Sequence, residues 1–280
     1  MSIKSAKDQN NNAQEKKDFV YANKAQTSIY LEQPSSVNPY VANSNFLHGY
    51  DVVELMQKKS FVSVLLLLFT GELPDKQSVV LLERLMIALI NLGPRHPAVK
   101  ASMVAGVSKA NVEHLLPIGL SVLGGESNGA KEVEKSMLFL QEHVDQPFEK
   151  VLEKLSLSIP DNMHGEFHVS PGFGNQYGSV DEFAIKIVES LVHDKPELYT
   201  FKYIAWAQHF AESLAQYNMG WLKTGIAAAV FCELGIGARE SIGLYQLICA
   251  PGVFAQGVEQ THKPITAIPM LSDEQHVYTP

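Results

Sequence analysis

The chain has 280 residues, 46% of them apolar and 19% charged, with 22 Lys and Arg against 30 Asp and Glu for a formal net charge of −8. That size and composition describe a globular protein with room for one large domain or two unequal ones, and they exclude a small disulfide-stapled fold. The acidic balance gives no electrostatic reason to expect nucleic acid or an acidic membrane surface as a partner.

In chain order, residues 1–24 are rich in Asn, Gln, Lys and Asp with few apolar anchors, which predicts a polar, disordered or loosely docked tail. The tail has no apolar h-region, so secretion is not expected. Residues 28–32 tolerate a strand; nothing else alternates long enough to argue for a sheet. From Tyr50 onward helical periodicity takes over, with Val52, Val53, Leu55 and Met56 on one stripe. The run FVSVLLLLFTG, 61–71, is too short to span a bilayer and is bracketed by Lys58, Lys59 and Glu72, so it reads as a buried helix capped by Ser60 and ended by Gly71 and Pro74. Further helices are expected over 76–91, 97–107, 112–123, 130–144 and 148–155. After an irregular stretch they resume over 180–193, 197–217, 221–234, 240–250 and 251–260. The fold class is therefore all-α, without internal repeats. The two cysteines, Cys232 and Cys249, sit in apolar helical surroundings and read as buried thiols of a cytoplasmic protein.

Several stretches carry candidate chemistry beside a plainer reading. HGEFH, 164–168, spaces two histidines as a zinc helix would, but Gly165 and Ser170-Pro171-Gly172 oppose a helix and no third ligand is suggested. His164 and His168 read as loop residues, and no metal is expected. Glu113 and His114 read as a solvated pair. GGESNG, 124–129, opens a helix at Ala130, where backbone N–H groups could face an anion or a ligand oxygen, though any tight interhelical turn would use the same residues. In SPGFGNQYGSVDEFA, 170–184, the PGFG segment (Pro171, Gly172, Phe173, Gly174) lets backbone approach a ligand because glycine has no Cβ; a sharp domain-linking turn would look the same.

Taken in order, these pieces resemble the citrate synthase family, including the shorter citryl-CoA lyases. The resemblance is carried by FLHGYDVVELMQKKSFVSVLLLLFTGELPDKQ (46–77), GPRHPAV (93–99), ESNGAKEVEKSM (126–137), PGFGNQYG (171–178) and LGIGARESIGLYQLICAPGVFAQGVEQ (234–260), and covers roughly residues 25–262. His48 stands where arginine is usual. The resemblance implies a large helical domain, 25–127 with 225–280, and a smaller inserted one, 128–224, closing over a cleft. It also implies a homodimer built on the helices 76–91 and 97–107. The family makes or breaks a carbon–carbon bond on a CoA thioester, with an aspartate as base, one histidine on the thioester oxygen, a second on a keto carbonyl, and arginines on the carboxylates.

Carried over residue by residue, those positions have changed. The histidine of "HGGA" falls on Ser127, with Asn128 for the first glycine while Gly129 and Ala130 fit. The histidine of "GFGH" falls on Asn175. The aspartate falls on Thr224 read without gaps, or on Gly220 read with one. Arginines become Phe183 and Cys249, and a further histidine becomes Gln256. Losing a general base costs about 10²- to 10⁴-fold and an oxyanion donor about 10²- to 10³-fold, so citrate synthesis or cleavage is not expected. Ser127 and Asn175 can still donate to a carbonyl oxygen, and Glu126, Lys223 and His96 are candidates for a relocated base. The resemblance assigns Pro171, Gly172, Phe173 and Gly174 to a CoA moiety, and His96, Asn128, Phe183, Cys249 and Gln256 to the substrate. Three functions follow: an enzyme acting on an acyl-CoA other than citryl-CoA, a silent homologue that binds such a ligand or serves as a regulatory subunit, and an interaction protein with a vestigial cleft.

Overall fold

The structure, a computed structural model, describes residues 24–160, 165–192 and 201–279. Most of the polar tail, His164 of the HGEFH pair, and the start of the helix expected over 197–217 lie outside those residues. The chain divides into two units, 1–53 and 54–280.

The first unit is a sheet, of which the sequence announced only the strand-tolerant stretch 28–32 that overlaps its first strand. Strands β1 (Tyr30–Pro34), β2 (Ala42–Leu47) and β3 (Tyr50–Asp51) form an antiparallel meander in that order. Tyr30 faces Leu47 and Glu32 faces Asn45 across β1 and β2, and Leu47 faces Tyr50 across the next pair. The tight turn between β2 and β3 uses His48 (φ 47) and Gly49 (φ 86), two consecutive left-handed residues that match the twist of a two-residue hairpin. Every residue of β1 is exposed, so no buried face writes a period of two into its sequence.

The second unit is helical. Helix α1 (Val52–Lys58) stands at the junction, followed by α2 (Phe61–Thr70) and α3 (Lys76–Leu89). Ser60 caps α2 by accepting from Ser63 N, and Gly71 in the left-handed region ends it; Asp75 accepts from Ser78 N at 2.7 Å to start α3. Then come α4 (Pro97–Val107), α5 (Val112–Leu123), α6 (Ala130–His143) and α7 (Phe148–Ser156). Past two short strands lie α8 (Glu182–Val192), α9 (Lys202–Ser213), α10 (Lys223–Glu233) and α11 (Ala238–Thr261).

Helix α10 is the centre of the core: every residue from Thr224 to Cys232 is buried, and the helix packs on α6 and α9. Helix α11 packs on α4, α5 and α6. The sequence suggested two helices meeting at Pro251, whereas α11 runs through it. The next amide, Gly252 N, donates to Ile90 O at 2.9 Å, so a contact from outside the helix holds the chain at the proline. Among the described residues α11 alone has the length and apolarity of a membrane span, yet its Leu244, Ile248, Cys249 and Val253 are buried in the core. Cys232 and Cys249 are both unpaired and buried, and burial pushes each thiol up to about 12.

The irregular stretch is a second small sheet rather than a loop. Strands β4 (Phe167–Ser170) and β5 (Phe173–Asn175) pair antiparallel, and β5 pairs with β6 (Gly220–Trp221) just before α10. An aromatic cluster backs it: Phe173 meets Phe210 and Trp221 with ring centroids 5.0 Å apart in each pair, and Trp206 stacks on Phe210 at 5.2 Å.

Candidate functional site

A cavity of about 600 Å³ lies within the helical unit, lined by residues 92–96, Asn128, Gln176, Tyr177, 179–183, Lys223, Thr224 and Tyr245. The residues that open helices α4, α8 and α10 form much of its wall. His96 precedes α4; its Nδ1 accepts from Ala98 N (3.2 Å), so Nε2 carries the proton and donates to Asn128 O (3.0 Å). Burial holds this imidazole below its usual value against the raising effect of that hydrogen bond, and the Lys223 charge lowers it further, so His96 is neutral at pH 7. Asp181 caps α8, its Oδ1 accepting from Phe183 N (2.9 Å) and Ala184 N (3.0 Å). Lys223 Nζ lies 5.8 Å from the centre of the Phe183 ring, a cation over an aromatic face. Thr224 is 1% exposed, and its hydroxyl has no hydrogen-bond partner among the described residues. Tyr245 is fully buried and hydrogen-bonded with Cys249; burial, reinforced by Cys249, raises its hydroxyl well above the usual value.

Beside the cavity, the turn before α6 is held by a buried carboxylate. Glu132 is 2% exposed; Oε2 accepts from Asn128 N (2.7 Å), and Oε1 accepts from Gly172 N (3.1 Å) and lies 2.6 Å from His168 Nδ1. His168 Nε2 reaches Glu166 Oε1 at 2.9 Å, and that same oxygen accepts from Ser127 Oγ at 3.1 Å and from Asn128 Nδ2. Burial works to lower the His168 pKa, but the hydrogen bond to Glu132 and the charges of Glu132 and Glu166 outweigh it, so the net shift is upward. An imidazolium between two carboxylates is the state this geometry favours.

The structure thus brings His96, Asn128, Phe183, Lys223 and Thr224 to one cavity and leaves the other predicted residues elsewhere. Ser127 is tied to Glu166, and Glu126 pairs with Lys135 at 3.0 Å on the exposed surface. Asn175 is buried behind the lining, with its Oδ1 accepting from Gly178 N, while its neighbours Gln176 and Tyr177 reach the cavity. Cys249 is buried under Tyr245, and Gln256 donates to Asn91 Oδ1 at 2.7 Å. Pro171, Gly172, Phe173 and Gly174 do not line the cavity. Their glycines answer internal needs: a Cβ on Gly172 (φ 81) would collide with Gly225, and one on Gly174 with Phe167 O. Phe173 fills the aromatic cluster.

The sequence carries no distinct signal at Glu132, Glu166, Arg95, Gln176, Tyr177 or Tyr245. Glu132, Arg95, Gln176, Tyr177 and Tyr245 all stand in segments that carry the resemblance, and Glu166 stands in HGEFH, but neither setting marks them as site residues. His168 stands out in the sequence only through its spacing from His164. Among the described residues no three His, Cys, Asp or Glu side chains gather as a metal site.

These features define a helical protein with a cavity walled in large part by helix N-termini, and solved structures give its fold. The chain matches citryl-CoA lyase from Hydrogenobacter thermophilus at TM-score 0.71 and 20% identity, over 91% of this chain and 94% of that one. It matches ATP citrate lyase from Methanothrix soehngenii, solved with citrate and coenzyme A, at TM-score 0.67 and 16% identity, over 94% of this chain but 44% of that longer one. It matches citrate synthase from Thermoplasma acidophilum at TM-score 0.55 and 17% identity, over 79% and 59% of the two chains. The chain has the citrate synthase-type fold. No protein-family model matches it, and no curated protein does.

Proposed function

We propose that this protein binds an acyl-CoA thioester, with the acyl end in the cavity, and does not make or cleave citrate. The observation that carries the reading is the cavity itself: about 600 Å³, lined in part by His96, Phe183, Lys223, Thr224 and Tyr245. That volume suits a small organic ligand. The fold supports CoA as the carrier, since the Methanothrix soehngenii neighbour was solved with citrate and coenzyme A. The loss of citrate chemistry is supported by the polar inventory. Both nitrogens of His96 are engaged and Asp181 serves as a helix cap, so among the described lining residues only the exposed Glu182 offers an uncommitted carboxylate. Any catalysis would act on a different acyl-CoA, with Asn175 and Ser127 reoriented as donors to its carbonyl.

Calorimetric titration with CoA, acetyl-CoA and a longer acyl-CoA tests the reading. Micromolar binding of a thioester is expected; no heat and no thermal stabilisation with any of the three would remove it. The engagement of Ser127, His96 and Asp181 favours a second reading, a catalytically silent binding or regulatory subunit, which multi-turnover release of CoA by purified protein would defeat. Two further features belong to the proposal. Residues 128–224 close over the cavity as a smaller domain, for which an unchanged radius of gyration on ligand saturation would be contrary evidence. The protein pairs as a homodimer through α3 and α4, where Ile87, Ile90 and Val104 are 67%, 48% and 42% exposed. A monomer by light scattering at micromolar concentration would rule that out.

A further inference from the structure

The helix starts around the cavity are not equivalent. The first amides of a helix lack partners, and the aligned peptide dipoles place about half a positive charge there. Asp181 answers this need on α8 and His96 Nδ1 answers it on α4, whereas no side chain caps α10. Helix α10 runs for 11 residues and opens with Lys223, Thr224 and Gly225. Thr224 contributes to the cavity wall, and its hydroxyl, on a side chain only 1% exposed, is unpartnered among the described residues. A buried hydroxyl without a partner is costly, which marks it as waiting for an acceptor. Lys223, half-buried beside it, makes no ion pair with any described residue, and its Nζ lies over the Phe183 ring. Arg95 adds a second cation to the same lining.

From these groups we infer that the start of α10 is an oxyanion site, receiving a carboxylate or phosphate group of the cavity's ligand. The anion oxygens accept from Thr224 Oγ and from the free amides of the first turn, and Lys223 Nζ supplies the counter-charge. The inference rests on the reading that the cavity takes a ligand, but not on that ligand being a CoA thioester.

The test uses the full chain, titrated calorimetrically and followed by thermal unfolding, with acetate, malonate, sulfate and inorganic phosphate against chloride at equal ionic strength. Saturable binding of at least one anion is expected, weakened roughly tenfold by Thr224→Val and by Lys223→Gln and largely kept in Thr224→Ser and Lys223→Arg. Preference for malonate or acetate would assign the site to a carboxylic acid, and preference for phosphate or sulfate to a phosphoryl group. Absence of binding above the chloride reference, or binding that survives both disruptive variants, overturns the inference. If Thr224→Val does not fold, the Lys223 pair decides. Anion binding without acyl-CoA binding would sink the proposed function and leave the site standing. Acyl-CoA binding without anion binding would do the reverse.

Discussion

The turn before α6 and the start of α10 hold similar polar residues and treat them in opposite ways. Around the turn, Ser127, Asn128, His168 and Gly172 are each consumed by Glu132 or Glu166. At α10, Thr224 and Lys223 stand without polar side-chain partners among the described residues. A closed hydrogen-bond network spends its groups on holding the chain, and an open set leaves them for something else. The contrast therefore separates residues held in place around the turn from residues that, on the proposed reading, meet the ligand.

The largest expected effect lies in the closed network. Glu132→Ala removes one buried carboxylate from three partners and leaves His168 with one, which should cost about 3–5 kcal/mol of folding stability. Chemical denaturation measures it, and a loss below about 1 kcal/mol would mean that the network holds little. Next comes Gly225→Ala, whose methyl group would collide with the Gly172 carbonyl. Backbone cannot yield as a flexible side chain would, so a loss of about 2 kcal/mol or more is expected by the same measurement.

A third, smaller effect depends on pH. His168 has its folded pKa raised above 6.5, so the cluster's stabilisation is fully present below about 6.5 and fades as pH rises through the folded value. The stability difference between the wild type and His168→Gln should therefore shrink from acid to alkaline pH. A difference that stays flat, or grows, would mean that His168 is not held as an imidazolium. The smallest effect on stability is expected from Thr224→Val, within about 1 kcal/mol and of either sign, because the hydroxyl it removes had no partner. Its consequence should appear in ligand affinity instead, and a large destabilisation would put Thr224 with the closed group.

Much of the helical unit was legible because its signals are local. Ser60 and Gly71 punctuate α2 as their chemistry demands, and the dense apolar run between them is buried as expected. The first sheet showed only as the strand-tolerant stretch 28–32 because β1 buries nothing, and the strands around Gly172 stayed hidden because three or four residues cannot display a period. The proline in α11 misled because its accommodation depends on Ile90, far away in the chain. In the cavity, Thr224, Asn128 and Phe183 could be picked from motif positions, and Lys223 and His96 as candidates for a relocated base beside them. The pairing of Glu132 with His168, 36 residues apart, could not, since only the folded chain brings them together.

The contact between Gly172 and Gly225 has a mechanical side. Two bare backbones touch there with no side chain between them to absorb a displacement. Leu222 N donates to Gly172 O at 3.0 Å, and Gly172 N donates onward to Glu132 Oε1 at 3.1 Å. The first turn of α10 and the imidazole of His168 are thus opposite ends of a short, stiff linkage. An occupant drawn against Thr224 would be felt as a pull on the carboxylate that charges His168, and titrating that imidazole by NMR with the cavity empty and filled would register the tug.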